Sequence, residues 1–422
     1  MLDRSNSPLT SLPDRIEIPV AQRIELPGGI PLISIRSGTQ ELVKIEFVFA
    51  AGSALADRVL TATACNDLLD EGTLTHSAAE VAEILDFYGA FLQSECGTEW
   101  ASVSLFSLNK FVGETLPVLE GILTSPAFPE SEIGLYALQG KQRLQVALSK
   151  VDVLARRQLL SSLYGSDTAV GRMSVPGDYD LINRQSLIDF HREHYLNGLR
   201  AVFISGLPDQ ALIDSICDLV QRNGFKNQFN GITGFSIPGA EERFIEKDDA
   251  IQSAIRVGRR LFGREHPDYI PFSVLNTILG GYFGSRLMSN IREDKGYTYG
   301  IGSGVVPQCG DGYFFISTEV GAAVRESAVL EIHAELARLR ETLVPAEELG
   351  LVINYMTGAF QRSLDGPFAL ADRYKTIELN NLNYSYLTGY LSFLRSVSAE
   401  QILNLANTYL KDDALTCVIA GK

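Results

Sequence analysis

The strongest constraint on this chain is that it reads twice. PESEIGLYALQGKQRLQ, from Pro129, is echoed by PAEELGLVINYMTGAFQR, from Pro345. LIDFHREHYLNGLRAVFISG, from Leu187, is echoed by ILNLANTYLKDDALTCVIAG, from Ile402. Around these anchors each half keeps one order: early strands, two or three helices, two strands, a long helix, further helices and a closing strand. Two units of about 200 residues on one plan point to duplication, not to a solenoid of many short repeats. The expected fold is α+β. Two homologous domains, each a mainly antiparallel sheet covered by helices on one face, would face each other across a cleft. The expected division is an extended arm over 1–23, a first domain over 24–222, a linker over 223–239 and a second domain over 240–422. The linker, NGFKNQFNGITGFSIPG, is rich in Gly and Asn and has no regular period.

At 422 residues with 45% hydrophobic content, the chain has the material for more than one core. A formal net charge of −15 argues against a nucleic-acid backbone or an anionic membrane as partner. Cys65, Cys96, Cys217, Cys309 and Cys417 are scattered without C-x-x-C spacing, which reads as reduced thiols in a reducing compartment. No apolar run reaches the roughly 18 residues of a membrane span, and the first twenty residues lack the apolar core of a signal peptide. A cytoplasmic protein is expected.

Local patterns place the elements. Val43, Ile45, Phe47 and Phe49 alternate with polar or small residues, the period of a half-buried strand. Ala54 to Glu71 reads as a helix ending at Gly72. Ser77 and Glu80 form a capping box for the next helix, which Gly89 stops. Further helices are expected over Phe111 to Leu123, Pro129 to about Ser149, on to Tyr164, and Arg184 to Tyr195. Further strands are expected over Pro31 to Arg36, Ala101 to Leu108 and Arg200 to Ser205.

The stretch GGYFGSRLMSNIREDKGYTYG, Gly280 to Gly300, holds the most chemistry. A helical segment is expected over Ser285 to Glu293, with Arg292 in its last turn. Gly296 interrupts it, and Tyr299 follows in a strand-like run, so a turn would bring the two side chains near each other. A guanidinium and a phenol suit a peptide carbonyl or an oxyanion. The same two residues also suit a solvated helix-end charge and a half-buried strand position. Tyr297 shares a strand face with Tyr299 and is a less favoured substitute. His191 and His194 flank Glu193 on a helix that leads into a strand, and a structural role is expected for them.

This order of elements resembles the pitrilysin/insulinase family of zinc peptidases, the inverzincins, in their short two-domain form. The Gly280–Gly300 stretch looks like the family's second-domain signature. LLDEGT (Leu68 to Thr73) and FHREHY (Phe190 to Tyr195) resemble first-domain landmarks. In active members a helical H-x-x-E-H and a Glu roughly 76 residues on hold zinc. Aligned from Gly72-Thr73, those motif positions hold Thr63, Asn66 and Asp67, and Ile133 to Val151 contains no Asp or Glu. The resemblance therefore implies no metal in this chain. It implies a non-catalytic subunit whose Arg292 and Tyr299 reach the zinc site of an H-x-x-E-H-bearing homologue, bind substrate peptide and stabilise the oxyanion. The partners implied are that homologue, as a heterodimer, and peptide; alone, the chain could pair with itself. The other reading is a structural or peptide-binding scaffold subunit like the core proteins of the respiratory bc complex.

Overall fold

The structure, a computed structural model, describes residues 16–229, 241–308 and 310–422. Its first sheet contains β1 (Gln22–Leu26), β2 (Ile30–Arg36), β3 (Leu42–Phe49), β4 (Phe91–Cys96), β5 (Ala101–Leu108) and β6 (Leu199–Gly206), in the order β1-β2-β6-β3-β5-β4. The second contains β7 (Glu242–Glu246), β8 (Gln252–Leu261), β9 (Ile301–Gln308), β10 (Asp311–Gly321) and β11 (Thr416–Gly421), in the order β7-β11-β8-β10-β9. With β1 set aside, the two orders match strand for strand. In each sheet the closing strand enters the middle, parallel to one neighbour and antiparallel to the other, and the remaining pairs are antiparallel. The fold is α+β, and the repeat seen in the sequence is a repeat of topology.

Helices α1 (Thr61–Asp67), α2 (Ala78–Phe87), α3 (Val112–Thr124), α4 (Glu130–Leu148), α5 (Val151–Tyr164), α6 (Arg184–His191) and α7 (Gln210–Arg222) belong to the first half. The second half has α8 (Tyr269–Asn276), α9 (Arg325–Glu341), α10 (Ala346–Arg362), α11 (Pro367–Leu379), α12 (Ser385–Thr388), α13 (Tyr390–Ser396) and α14 (Ala399–Tyr409). Their ends obey capping chemistry. The Ser77 hydroxyl accepts from the Glu80 N–H, and the Glu80 carboxylate accepts from the Ser77 N–H at 2.8 Å. Asn183, Asp209 and Ser398 cap α6, α7 and α14 in the same sense.

Each half buries its own apolar core, around Phe47, Phe49, Leu119 and Tyr195 in one and Phe272, Leu287, Phe314 and Leu336 in the other. The opposite face of each sheet is covered by a helix from the other half. Ala155, Leu159 and Leu163 of α5 pack on Ala254, Val418 and Ala420 of the second sheet. Leu370, Ala371 and Tyr374 of α11 pack on Ile33, Ile35, Ala201 and Phe203 of the first. Gly258 admits α5: a Cβ there would meet the Phe314 carbonyl oxygen at 2.5 Å and Leu159 at 3.2 Å. The described end of the N-terminal arm joins this exchange, since the Tyr374 and Tyr384 hydroxyls donate to the Pro19 and Ile18 carbonyls.

Two local expectations are corrected, and two elements come in addition. β3 is buried on both faces, not one, because α11 covers the face that carries Lys44 and Glu46. The helix expected from Ala54 shrinks to a single turn, Ser53–Leu55, and then α1. Arg172 caps the Ala56 and Asp57 carbonyls from outside, and Leu60 turns left-handed at φ 73°, so the chain cannot run helically through. β4 and α7 were not foreseen. Residues 1–15 of the expected arm, 230–239 of the expected linker and Cys309 lie outside the described residues. Residues 223–228 still bind the first half, with Phe225 in its core.

Candidate functional site

The Gly280–Gly300 stretch forms a π-helical turn, Met288–Asp294, followed by a reversal at Gly296, φ +65°, and then β9. The reversal is closed by backbone bonds from Lys295 N–H to the Asn290 carbonyl and from Tyr297 N–H to the Ile291 carbonyl, both 3.0 Å. Its polar residues divide into two sets. Arg286 grips Glu348 of α10 with two bonds of 2.8 Å. Asn290 donates to Glu331 (2.9 Å) and Glu335 (2.7 Å) of α9, and Lys295 pairs with Glu331 at 3.2 Å. The Thr298 hydroxyl lies 2.8 Å from the Glu319 carbonyl and accepts from the Gly300 N–H at 3.1 Å. These side chains hold the turn in place.

Arg292 and Tyr299 form the second set. The Arg292 guanidinium lies over the Phe283 ring, 4.7 Å from its centre, and among the described residues it has no carboxylate partner. Tyr299 is 96% exposed, and its phenol has no hydrogen-bond partner among the described residues. Tyr299 lies in the loop before β9, not in the strand: Thr298 ties the backbone to Gly300 and Glu319 there, and strand pairing begins at Ile301. The two residues sit on opposite limbs of one turn, outside either core, with no hydrogen bond between them. Tyr297 packs against the second core, unlike Tyr299. Phe283, which orients the guanidinium and is itself largely exposed, was missed; its position nine residues before Arg292 gives no periodic signal.

Thr63, Asn66 and Asp67 lie on α1. Asn66 is fully buried and accepts from the Tyr195 hydroxyl at 2.8 Å, while its amide nitrogen has no partner among the described residues. Thr63 lies beside the Cys96 thiol and opposes the rise that burial gives it. Asp67 accepts from the Tyr136 hydroxyl of α4 at 3.2 Å. Protein packed around Asp67 raises its carboxyl above the usual range although the residue keeps an exposed face; Tyr136 and Arg143 oppose that rise. Arg143 lies within Ile133 to Val151, the stretch where the resemblance implies a far carboxylate ligand in active members. Its cation also acts on Tyr136 and Tyr179. A hydroxyl, a buried amide, one tyrosine-bound carboxylate and a guanidinium do not make a zinc donor set, which needs three His, Cys or carboxylate ligands. Among the described residues no three such side chains are grouped to hold a metal ion.

The His pair has structural work. His191 bonds the Leu123 carbonyl at 2.9 Å, and burial lowers its pKa to about 4. His194 bonds the Ala50 carbonyl at 3.0 Å, and burial lowers its pKa too. Burial raises the Cys65 thiol and lifts that of Cys96 to about 11, so neither is an activated nucleophile. Among the described residues no helix is long and apolar enough to cross a membrane.

Comparison with known proteins bears on the fold. Residues 181–356, from before α6 to within α10, match the family described as the peptidase M16 inactive domain. The uncharacterized zinc protease YmxG of Bacillus subtilis is 23% identical over 353 residues, 83% of this chain and 85% of that one. The non-peptidase homolog YmxG of Helicobacter pylori is 24% identical over 283 residues, 64% of each chain. The crystal structure of a peptidase M16 inactive domain from Pseudomonas fluorescens superposes with a TM-score of 0.88 at 23% identity, covering 95% of this chain and 98% of that one. The two sheets with one strand order and the match over residues 181–356 make this chain similar in fold to the peptidase M16 inactive domain.

Proposed function

We propose that this chain is the metal-free, non-catalytic subunit of a two-subunit peptidase. A homologue bearing H-x-x-E-H supplies the zinc site, and this chain supplies Arg292 and Tyr299 to the substrate. The observation that carries the reading is the division within the signature. Arg286, Asn290, Lys295 and Thr298 are spent on holding the turn, whereas Arg292 and Tyr299 have no hydrogen bond or ion pair among the described residues. A guanidinium stacked on Phe283 keeps its donors free for a peptide carbonyl. An exposed phenol is a donor for a developing oxyanion once a partner's surface excludes water around it.

The test is reconstitution. The chain is co-expressed with an H-x-x-E-H homologue encoded in the same genome, and hydrolysis of an unfolded peptide is followed. Loss of an oxyanion donor lowers kcat by roughly 10²–10³, so Arg292→Ala or Tyr299→Phe in this chain slows the complex on that scale. Co-elution on size exclusion stays unchanged. Full turnover by both variants refutes the role in trans. It leaves a scaffold subunit as the reading.

A further inference from the structure

The second half holds a cavity of about 260 Å³ between α8, α10, α11 and the segment Tyr386 to Tyr390. Two guanidiniums line it: Arg264, in the turn before α8, and Arg373, on α11. Arg260, Arg286 and Arg340 each pair with a carboxylate, but Arg264 and Arg373 have no acidic partner among the described residues. No Asp or Glu lines the cavity. In a chain of net charge −15 this is a local inversion of sign, with two like charges left facing one space.

The rest of the lining completes a recognisable chemistry. Tyr269, Tyr386 and Tyr390 face the same space, and both guanidiniums act on all three phenols. Arg264 stacks over the Tyr269 ring, 5.3 Å from its centre. Burial holds the Tyr269 and Tyr386 phenols above their ordinary range and Tyr390 at about 12, so all three stay neutral donors near pH 7. Ile270 and Leu387 add apolar wall. Guanidinium forks match carboxylate and phosphate oxygens, and tyrosine rings match a flat or branched apolar body. The volume falls just below the roughly 300 Å³ where drug-sized sites begin, which suits a ligand the size of one amino-acid derivative.

We propose that this cavity is a binding site for a small organic anion, a carboxylate or phosphate head on an apolar body, held between Arg264 and Arg373. It stands apart from the Arg292–Tyr299 turn and needs no partner subunit.

The experiment is calorimetric titration of the purified full chain with N-acetylphenylalanine, phenyl phosphate and, as the neutral control, N-acetylphenylalaninamide. At least one anion binds with a Kd of about 1 mM or tighter, and the amide binds at least tenfold more weakly. The tighter of the two anions identifies the head group. Arg264→Gln and Arg373→Gln each weaken the anion at least tenfold. Because Arg264 also packs on Tyr269, Ala359→Phe serves as a second variant that fills the cavity without removing charge, and it too abolishes binding. Circular dichroism confirms that each variant is folded. Equal binding of anion and amide, no anion binding at 10 mM, or wild-type binding by the folded Arg373→Gln variant would each overturn the proposal.

Discussion

Glu46 and Lys375 are 329 positions apart in the chain and 2.7 Å apart in space. Glu46 is 1% exposed on the first sheet, and Lys375 reaches it from α11 of the second half. Lys44 pairs with the same carboxylate at 2.9 Å. This is a buried ion pair that joins the two halves, and removing one partner of such a pair strands the other. Lys375→Met is expected to destabilise the protein by about 3 kcal/mol, the low end for such a loss because Lys44 remains. Urea unfolding of the variant against the parent measures it.

The same pair sets a pH dependence. Burial alone would raise the Glu46 carboxyl; Lys375 and then Lys44 outweigh it and hold it below the ordinary 4.5. A depressed carboxylate stabilises the fold above its unfolded value, and that contribution is lost as pH falls through the folded value. Burial alone would lower Lys375, and Glu46 outweighs that to hold it above 10.5. That contribution is full below 10.5 and is lost only as pH rises through the higher folded value. Melting temperatures of wild type and Glu46→Gln are therefore expected to differ by a constant amount from pH 6 to 9 and to converge below about pH 4.5.

The two sets of polar residues in the signature turn predict opposite stability effects. Tyr299→Phe removes no hydrogen bond among the described residues and Arg292→Ala removes only the stack on Phe283, so each is expected to change stability by about 1 kcal/mol at most. Asn290→Ala leaves the buried Glu335 short of a donor and is expected to cost about 2 kcal/mol. Denaturant midpoints of the three variants, measured side by side, check the division on which the proposed function rests.

The position of Arg143 yields a metal-binding prediction. Thr63→His with Asp67→His supplies two ligands but leaves a guanidinium facing them. Adding Arg143→Glu supplies the third ligand and removes the cation. The triple variant is expected to bind zinc at least 10-fold more tightly than the double, in line with the charge and ligand count of zinc sites. Competition with a chromophoric chelator reads the difference. Equal affinities would mean that Arg143 does not occupy the ligand position.

What the sequence made legible was what one segment can encode by itself. The long helices after Pro129 and Pro345, the Ser77–Glu80 box and the closing strands are local patterns, and the structure has them where the patterns lie. β3 misleads because the alternation Val43, Ile45, Phe47, Phe49 is real, yet its polar face is covered by a helix encoded more than 300 residues later. Ala54 to Glu71 misleads because Arg172, far along the chain, takes the carbonyls that a helix would have used. β4 is an edge strand whose side chains stay at least partly exposed, so it has no apolar stripe to betray it. In the candidate site, Arg292 and Tyr299 are readable as residue types, but which polar neighbours are bound and which are left open is decided by Glu331, Glu335 and Glu348 on two later helices.

Because each half lends a helix to the other's sheet, the two are clasped like interlocked hands. Swinging them apart would uncover Ala254, Val418 and Ala420 on one side and Ile33, Ala201 and Phe203 on the other in a single motion. A clamshell opening is therefore closed to this molecule at ordinary energies. A nick in the backbone between β6 and β8 is expected to leave one body on size exclusion under native conditions and two pieces once denaturant is added.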